Sequence, residues 1–487
     1  MPDAPHLLLV VDMGTGGVRA VAVTRSGQVV AESSVPLQGA VAAEQPSWHE
    51  QAPQAWWEAF CEATAAVVAR LPAAGWDPRQ LAAMAVDGTS GTLVALDAAG
   101  TPLRPAMMYN DPRGQQQADW LNQTADQFCR RLGYRFKSSF ALAKILWLQQ
   151  HEPACFDRTA VFLHQADYLA GRLTDGPPQT DYSNALKTGY DLLDERWPAW
   201  IGRLPGVAER LPAVVAPGSI VGRVTPRAAA SSGLPAGLAV VAGVTDGTAA
   251  CLASGVRRPG DYNTTLGTTL VFKGLSRDIC CHPQGLIYSH KLPGGLWLPG
   301  AASNTGGEWI EAWFPGSTPP QMDAAAVAHL PSQRLAYPLV GRGERFPFLS
   351  HGAEGFLPDE RLSAAQQYAA CLQGVAFLER IAYDVLDGAT SASGGEVYST
   401  GGGSRSEIWL QCRADATGRT IHRPACAESA FGAAVLAASA TCHDGLSEAI
   451  AAMVRIERTW RPNPGHAAAY EDLYRSFLGQ LSQRGYL

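Results

Sequence analysis

Long apolar runs are missing from this 487-residue chain. The one early run, residues 7–11, is closed by Asp12, whereas a membrane span needs about 20 apolar residues and a secretory segment at least half as many. The expectation is a cytoplasmic protein without a membrane partner. Cys-x-x-Cys spacing is absent as well: the ten cysteines, at 61, 129, 155, 251, 280, 281, 371, 412, 426 and 442, are scattered. That excludes a disulfide framework and suits reduced, mostly buried thiols. Cys280, Cys281 and His282 stand together, but no second ligand pair follows at zinc spacing. Charge of one sign is nowhere concentrated. The 38 Lys and Arg against 44 Asp and Glu give a net charge of −6 without blocks, which excludes a nucleic-acid or anionic-membrane surface. No GxxxxGK phosphate loop occurs, and no low-complexity tract or solenoid period.

What is there describes a globular chain of 46% apolar and 17% charged residues, long enough for two domains. Residues 7–12, 18–24 and 28–34 alternate as three strands, with turns at Gly14-Thr15-Gly16-Gly17 and Ser26-Gly27. A helix is predicted over 54–71, where Phe60, Ala63, Val67 and Leu71 share a face and Pro72 stops it. Strands at 82–86 and 93–97 flank Asp87-Gly88-Thr89-Ser90-Gly91-Thr92, and 115–172 reads as mainly helical. Pro, Gly and Ala-Ser crowd 205–235, which places the domain junction just beyond: domains of 1–243 and 244–487 are expected. An apolar strand, 238–243, then leads through Thr245-Asp246-Gly247 to a helix at 248–254. A second meander, 261–266 and 270–273, turns at Gly267-Thr268-Thr269 and repeats the logic of the first. Strand, Gly-Thr turn and returning strand in each half suggest an α/β protein of duplicated domains.

Several of these segments place useful groups together. Asp12, ending a strand beside a turn of free backbone N–H groups, offers a carboxylate for Mg²⁺ next to a cradle for phosphate; a plain glycine hairpin reads the same way. Gly267-Thr268-Thr269 is a second such nest with hydroxyls. Tyr398-Ser399-Thr400-Gly401-Gly402-Gly403-Ser404-Arg405-Ser406 reads as strand, glycine loop and cap of a helix at 407–416. Such a loop lets a flat nucleoside lie on the backbone, or is merely a tight turn. Asp246, between strand and helix, could accept a hydroxyl proton during attack on phosphorus, or could simply cap the helix.

The order of the motifs decides between these readings. Asp12-Met13-Gly14-Thr15, Asp87-Gly88-Thr89-Ser90-Gly91-Thr92, Thr245-Asp246-Gly247, Thr265-Leu266-Gly267-Thr268-Thr269 and Gly401-Gly402-Gly403-Ser404-Arg405-Ser406 succeed one another as in the FGGY carbohydrate kinases, which the chain resembles nearly end to end. Residues 45–50 before Trp56-Trp57, 144–150, 301–307 and 428–434 agree with it. Ala141 departs from the Ser, Thr or Pro usual three places before Lys144. Residues 180–190, 288–291 and 341–347 look like the D-ribulose kinases of cyanobacteria and plants. The Gly-Gln-Met-His stretch usual in xylulokinases is replaced by Asp87-Gly88-Thr89-Ser90.

The resemblance implies two actin-like (RNase H-like) ATPase domains with a catalytic cleft between them, ATP and Mg²⁺ as cofactors, and a small sugar as the other partner. It implies Asp246 as general base and Asp12 as catalytic residue and metal ligand. Thr15, Gly14, Gly16, Gly267, Thr268 and Gly306 would bind the nucleotide's phosphates, Gly401, Gly402 and Ser404 its nucleoside, and Ser90, Asp12 and Asp246 the sugar. The expected reaction is phosphorylation of the terminal hydroxyl of D-ribulose. Alternatives are D-xylulose, another pentulose or a pentitol, and a degenerate actin-fold sugar sensor; the assembly expected is a monomer or homodimer.

Overall fold

The computed structural model describes residues 7–37, 45–282, 284–357, 361–390 and 394–487. The chain divides into two compact units. The first comprises Met1–Ala253, His290–Leu296 and Glu428–Val454; the second comprises Ser254–Ser289, Trp297–Ala427 and Arg455–Leu487. Residues 244–253, 290–296 and 428–454, expected with the second domain, thus group with the first. At Gly432 an added Cβ would lie 1.7 Å from the carbonyl oxygen of Ala249. Only a glycine lets the helix Ser429–Thr441 rest on the helix Asp246–Ser254.

In the first unit, strands β1 (Leu7–Met13), β2 (Gly17–Thr24), β3 (Val29–Pro36), β4 (Leu81–Gly88), β5 (Ile220–Arg223) and β6 (Ala239–Val241) form one sheet in the order β5-β6-β4-β1-β2-β3. The meander β1–β3 is antiparallel, β4 and β6 run parallel to β1, and β5 closes the edge antiparallel. The alternation read from the sequence has a physical basis: Leu7, Leu9, Val11 and Met13 of β1 point into one apolar core with Trp56, Phe60, Ala63 and Val67 of the helix Pro53–Arg70. Residues 93–97 yield a shorter strand, Val94–Leu96, paired with Val161–Leu163 inside the stretch expected to be mainly helical.

The second sheet repeats this plan in the second unit, except that residues 290–296, the end of β9 to the start of β10, group with the first. Strands β7 (Tyr262–Leu266), β8 (Leu270–Gly274), β9 (Tyr288–Leu292), β10 (Leu296–Ala302), β11 (Val397–Thr400), β12 (Ile421–Pro424) and β13 (Ile456–Trp460) are ordered β9-β10-β8-β7-β11-β12-β13. Again β7–β8–β10 is an antiparallel meander, β11 and β12 are parallel to β7, and β13 is antiparallel at the edge. Long helix Ala364–Ala389 covers its core with Tyr368, Leu372, Val375 and Tyr383. None of the ten cysteines is joined in a disulfide. Among the described residues, no helix is long and apolar enough to cross a membrane.

Candidate active site

In parallel sheets the ends where strands run out into turns expose backbone groups, and both units place their candidate residues there. In the first, Asp12 lies opposite Asp87 in the register of β1 and β4. Gly243, after β6, has no room for a side chain: a Cβ would come within 1.8 Å of the Val86 oxygen. Thr245 bridges to Gly88, and Asp246 opens its helix there, its Oδ1 accepting the Gly247 N–H at 2.6 Å. The helix therefore starts two residues before the predicted 248, at the candidate base itself.

Three carboxyl groups thus come within one another's electrostatic reach. Asp87 is fully buried, and neither of its carboxyl oxygens has a hydrogen-bond partner. Burial first, then the charges of Asp12 and Asp246, push it well above the usual carboxylate range, which favours its neutral form. Asp12 is raised as well, mainly by burial and then by Asp246, against the opposing pull of the Ser429 hydroxyl and Arg19. Ser429 donates to Asp12 Oδ2 at 2.5 Å from the first turn of its helix.

The predicted turn at 14–17 is held by Gly14 N–H to the Gly17 carbonyl at 3.0 Å. Thr15 and Gly16 are exposed, and the Thr15 carbonyl is tied to Gln51 Nε2 at 2.8 Å, itself held by Trp56 Nε1 at 2.8 Å. Gln51, just before the first helix, and Trp56 within it therefore hold the turn.

Ser90 belongs to a second turn of the same unit. Its hydroxyl is buried without a protein partner. Around it, Thr89 donates to Gln165 Oε1 from N–H and Oγ1 at 3.0 and 2.7 Å. Lys144 Nζ, fully buried, donates to the carbonyls of Gly91 and Met108 at 2.8 and 2.6 Å. Burial pushes this ammonium down to about 7. Gly91, at φ +88°, could not be replaced without striking the Ser139 oxygen. Lys187 packs over the Phe140 ring at 4.3 Å; burial pushes it down to about 8 while the charge of Asp246 pulls it up.

In the second unit, Gly267 N–H closes on the Thr269 carbonyl at 3.0 Å, leaving Gly267 and Thr268 exposed. Gly306 backs this turn so closely that a Cβ would sit 2.4 Å from Thr269 Cα, and Gly307 N–H donates to the Gly267 carbonyl at 2.8 Å. Residues 303–305 are fixed in turn by buried Glu344, which accepts from Ser303 Oγ at 2.9 Å, Asn304 N–H at 2.6 Å and Thr305 Oγ1 at 2.8 Å. The glycine loop leaves β11, the parallel neighbour of β7. Gly401 stands at φ +83°, with the Leu266 oxygen 2.6 Å from where a Cβ would be. Ser404 Oγ donates to the Gly401 carbonyl at 2.6 Å, while Gly402 faces open space. The turn at 267–269 and the glycine loop thus leave adjacent strands side by side.

Asp12, Gly14, Thr15, Gly16, Ser90 and Asp246 accordingly stand in the first unit, and Gly267, Thr268, Gly306, Gly401, Gly402 and Ser404 in the second. Sequence reasoning missed Asp87 and Ser429. Asp87 was visible as the only carboxylate of the Asp87–Ser90 motif, whereas Ser429 reaches Asp12 from 417 positions away.

Two sheets of one topology, each with a Gly-Thr turn after its first strand, define a two-domain α/β protein of repeated plan. The FGGY family of carbohydrate kinases matches with its N-terminal domain over residues 7–253 and its C-terminal domain over 263–441. The xylulose kinase of Staphylococcus epidermidis is 27% identical over 484 residues, covering 96% of this chain and 95% of that protein. That of Streptomyces coelicolor is 31% identical over 448 residues, covering 89% and 87%. The crystal structure of xylulose kinase from Rhodospirillum rubrum superposes with a TM-score of 0.87 at 27% identity, covering 98% of each chain. The chain belongs to the FGGY family of carbohydrate kinases. It is a sugar kinase, with ATP as phosphoryl donor.

Proposed function

We propose that this kinase transfers the γ-phosphoryl group of ATP to the terminal hydroxyl of a pentulose, D-ribulose first, giving D-ribulose 5-phosphate. The observation that carries the transfer is the meeting of Asp12, Asp87 and Asp246 at the strand ends of one sheet. Asp246 takes the proton of the sugar hydroxyl as its oxygen bonds to the γ-phosphorus and the bond to the β,γ-bridging oxygen breaks, releasing ADP. Asp12 and Thr15 orient the phosphates, Thr268 grips the transferring group, Gly14, Gly16, Gly267 and Gly306 shape the turns, and Gly401, Gly402 and Ser404 seat the nucleoside. Ser90, with Asp12 and Asp246, holds the sugar.

Mg²⁺ suits Asp12. This ion keeps several waters and is held by one or two carboxylates plus substrate phosphates, and among the described residues no larger cage of His, Cys, Asp and Glu competes for it. Bound there, it supplies charge neutralisation to the β,γ-phosphates.

D-ribulose is preferred because Asp87-Gly88-Thr89-Ser90 replaces the xylulokinase Gly-Gln-Met-His stretch, and the buried Ser90 hydroxyl awaits a partner. D-xylulose is the second reading, favoured by the names of the relatives. The two ketoses are epimers at C3, so polar contacts must separate them, at about 1–3 kcal/mol per bond left unmade. Measuring ADP release and kcat/KM with both ketoses and with pentitols tests the proposal. D-ribulose is expected to lead by roughly ten- to a hundredfold, and Ser90→Ala to erode that lead more than it changes KM for ATP. A lead for D-xylulose moves the assignment to the second reading; turnover of no pentulose ends it.

A further inference from the structure

Asp246 is held by a strand end whose own supports come from an unexpected segment. Residues 180–190 entered the sequence reading only as a family landmark. In the structure Asp181 caps the short helix Tyr182–Ala185, its Oδ1 accepting the N–H groups of Ser183 and Asn184 at 2.7 and 3.2 Å. The same oxygen accepts the Ser183 hydroxyl at 2.5 Å, and Oδ2 accepts Asn184 Nδ2 at 2.6 Å. A serine hydroxyl has one proton and two lone pairs. With its proton committed to Asp181, the Ser183 oxygen can only accept, and it takes the N–H of Thr245 at 3.1 Å across 62 positions of sequence.

Capping does not require that bond, since the carboxylate alone satisfies the helix N-terminus. What it fixes is the backbone immediately before Asp246. Gly243 is pressed against Val86 and Thr245 is bridged to Gly88; the Thr245 hydroxyl meets that of Thr248 at 2.9 Å, and Ser183 adds a hold on the Thr245 N–H from outside the sheet. Asp181, Ser183 and Thr245 are at most 2% exposed, so water cannot replace the bond if it is lost.

We propose that Ser183, oriented by Asp181, is a positioning residue for Asp246, fixing where the proton acceptor sits without touching either substrate. The proposal rests on the reading of Asp246 as general base. A base misplaced by a fraction of an ångström loses rate while binding is kept. Steady-state kinetics of Ser183→Ala and Ser183→Thr, with thermal unfolding of each, test it. Ser183→Ala is expected to lower kcat roughly ten- to a hundredfold, with KM for ATP and for the ketose within about threefold of the parent. Ser183→Thr, which keeps the hydroxyl, should recover most of the loss. Should Ser183→Ala fail to fold, Ser183→Cys, which keeps the volume and weakens the acceptor, is read in its place. A kcat within twofold of the parent overturns the proposal, as does a threonine variant no better than the alanine one. Asp246→Asn separates this from the underlying reading: if that variant turns over normally, the base assignment fails whatever Ser183 does.

Discussion

The two Gly-Thr turns occupy the same place in two copies of one sheet, yet their surroundings differ. The turn at 14–17 has carboxyl groups beside it, with Asp12 bound by Ser429 and facing the charges of Asp87 and Asp246. The turn at 267–269 is built against backbone and small residues, clasped by Gly306 and Gly307. Glu308 meets it through its backbone N–H, which donates to the Thr268 carbonyl at 3.2 Å, and Glu344, which fixes residues 303–305, is buried and spends its oxygens on neighbouring donors. The same topology therefore delivers titratable chemistry in one unit and a tightly shaped cradle in the other. Buried charges are paired in both units: in the first, Arg113 forks onto Asp111 at 2.8 and 2.7 Å. In the second unit Arg413 and Glu379 are wholly buried as a bidentate pair at 2.6 and 2.7 Å. In the first, Lys144 is satisfied by carbonyls instead of an opposite charge.

The largest expected effect breaks the titratable side of this comparison. Asp246→Asn removes the proposed proton acceptor and little else, so kcat should fall by about 10² to 10⁴, while asparagine, as good a cap as aspartate, leaves the melting temperature unchanged. Single-turnover rates beside a thermal melt check it; turnover within a few-fold of the parent would make Asp246 a helix cap. Next comes the shaped side. Gly306→Ala forces a methyl group to 2.4 Å from Thr269 Cα, an overpacking of about 1–3 kcal/mol. Nucleotide titration should show ATP affinity weakened roughly tenfold with KM for the ketose little moved. An unchanged ATP affinity would sever Gly306 from the cradle.

The smallest effect on turnover, and a sharpening of the contrast in charge, concerns Lys144. Its folded pKa of about 7 lies below the value of an unfolded lysine, so the unfolded chain binds the extra proton between about pH 7 and 10. Stability contributed at this site therefore rises with pH across that window, by up to about 1.4 kcal/mol per unit, and falls away toward pH 7. Denaturant titrations of the parent and Lys144→Met at pH 7 and 9 should show the parent gaining on the variant at the higher pH. Parallel profiles would mean that the ammonium stays charged in the fold.

Much of this was legible because it is local. Strand alternation, the glycine turns and the Ser406 cap of the helix Glu407–Thr417 depend on neighbours in sequence, and each lies within a residue or two of its expected place. The site residues came from motif order, and so carried no information on what lies behind them. Glu344 and Ser183 stood in plain view as landmarks, yet their function depends on partners 39 to 62 positions away. The burial of Asp87 follows from strand packing, which a motif of Gly, Thr and Ser does not announce. The return of residues 428–454 to the first unit rests on partners far off in sequence, Gly432 against the Ala249 carbonyl and Ser429 on Asp12 among them.

That return also sets a timetable for synthesis. The first unit's continuous stretch ends at Ala253, yet the helix bearing Ser429 belongs to a segment that closes at Val454. At ribosomal rates of about 5–20 residues per second the interval is roughly 10 to 40 s. Throughout it the strand ends carrying Asp12, Asp87 and Asp246 exist without their covering helix, the Ala249 carbonyl still awaiting Gly432. A nascent chain stalled short of residue 428 would hold the candidate base and all six strands of the first sheet, but not the hydroxyl that binds Asp12.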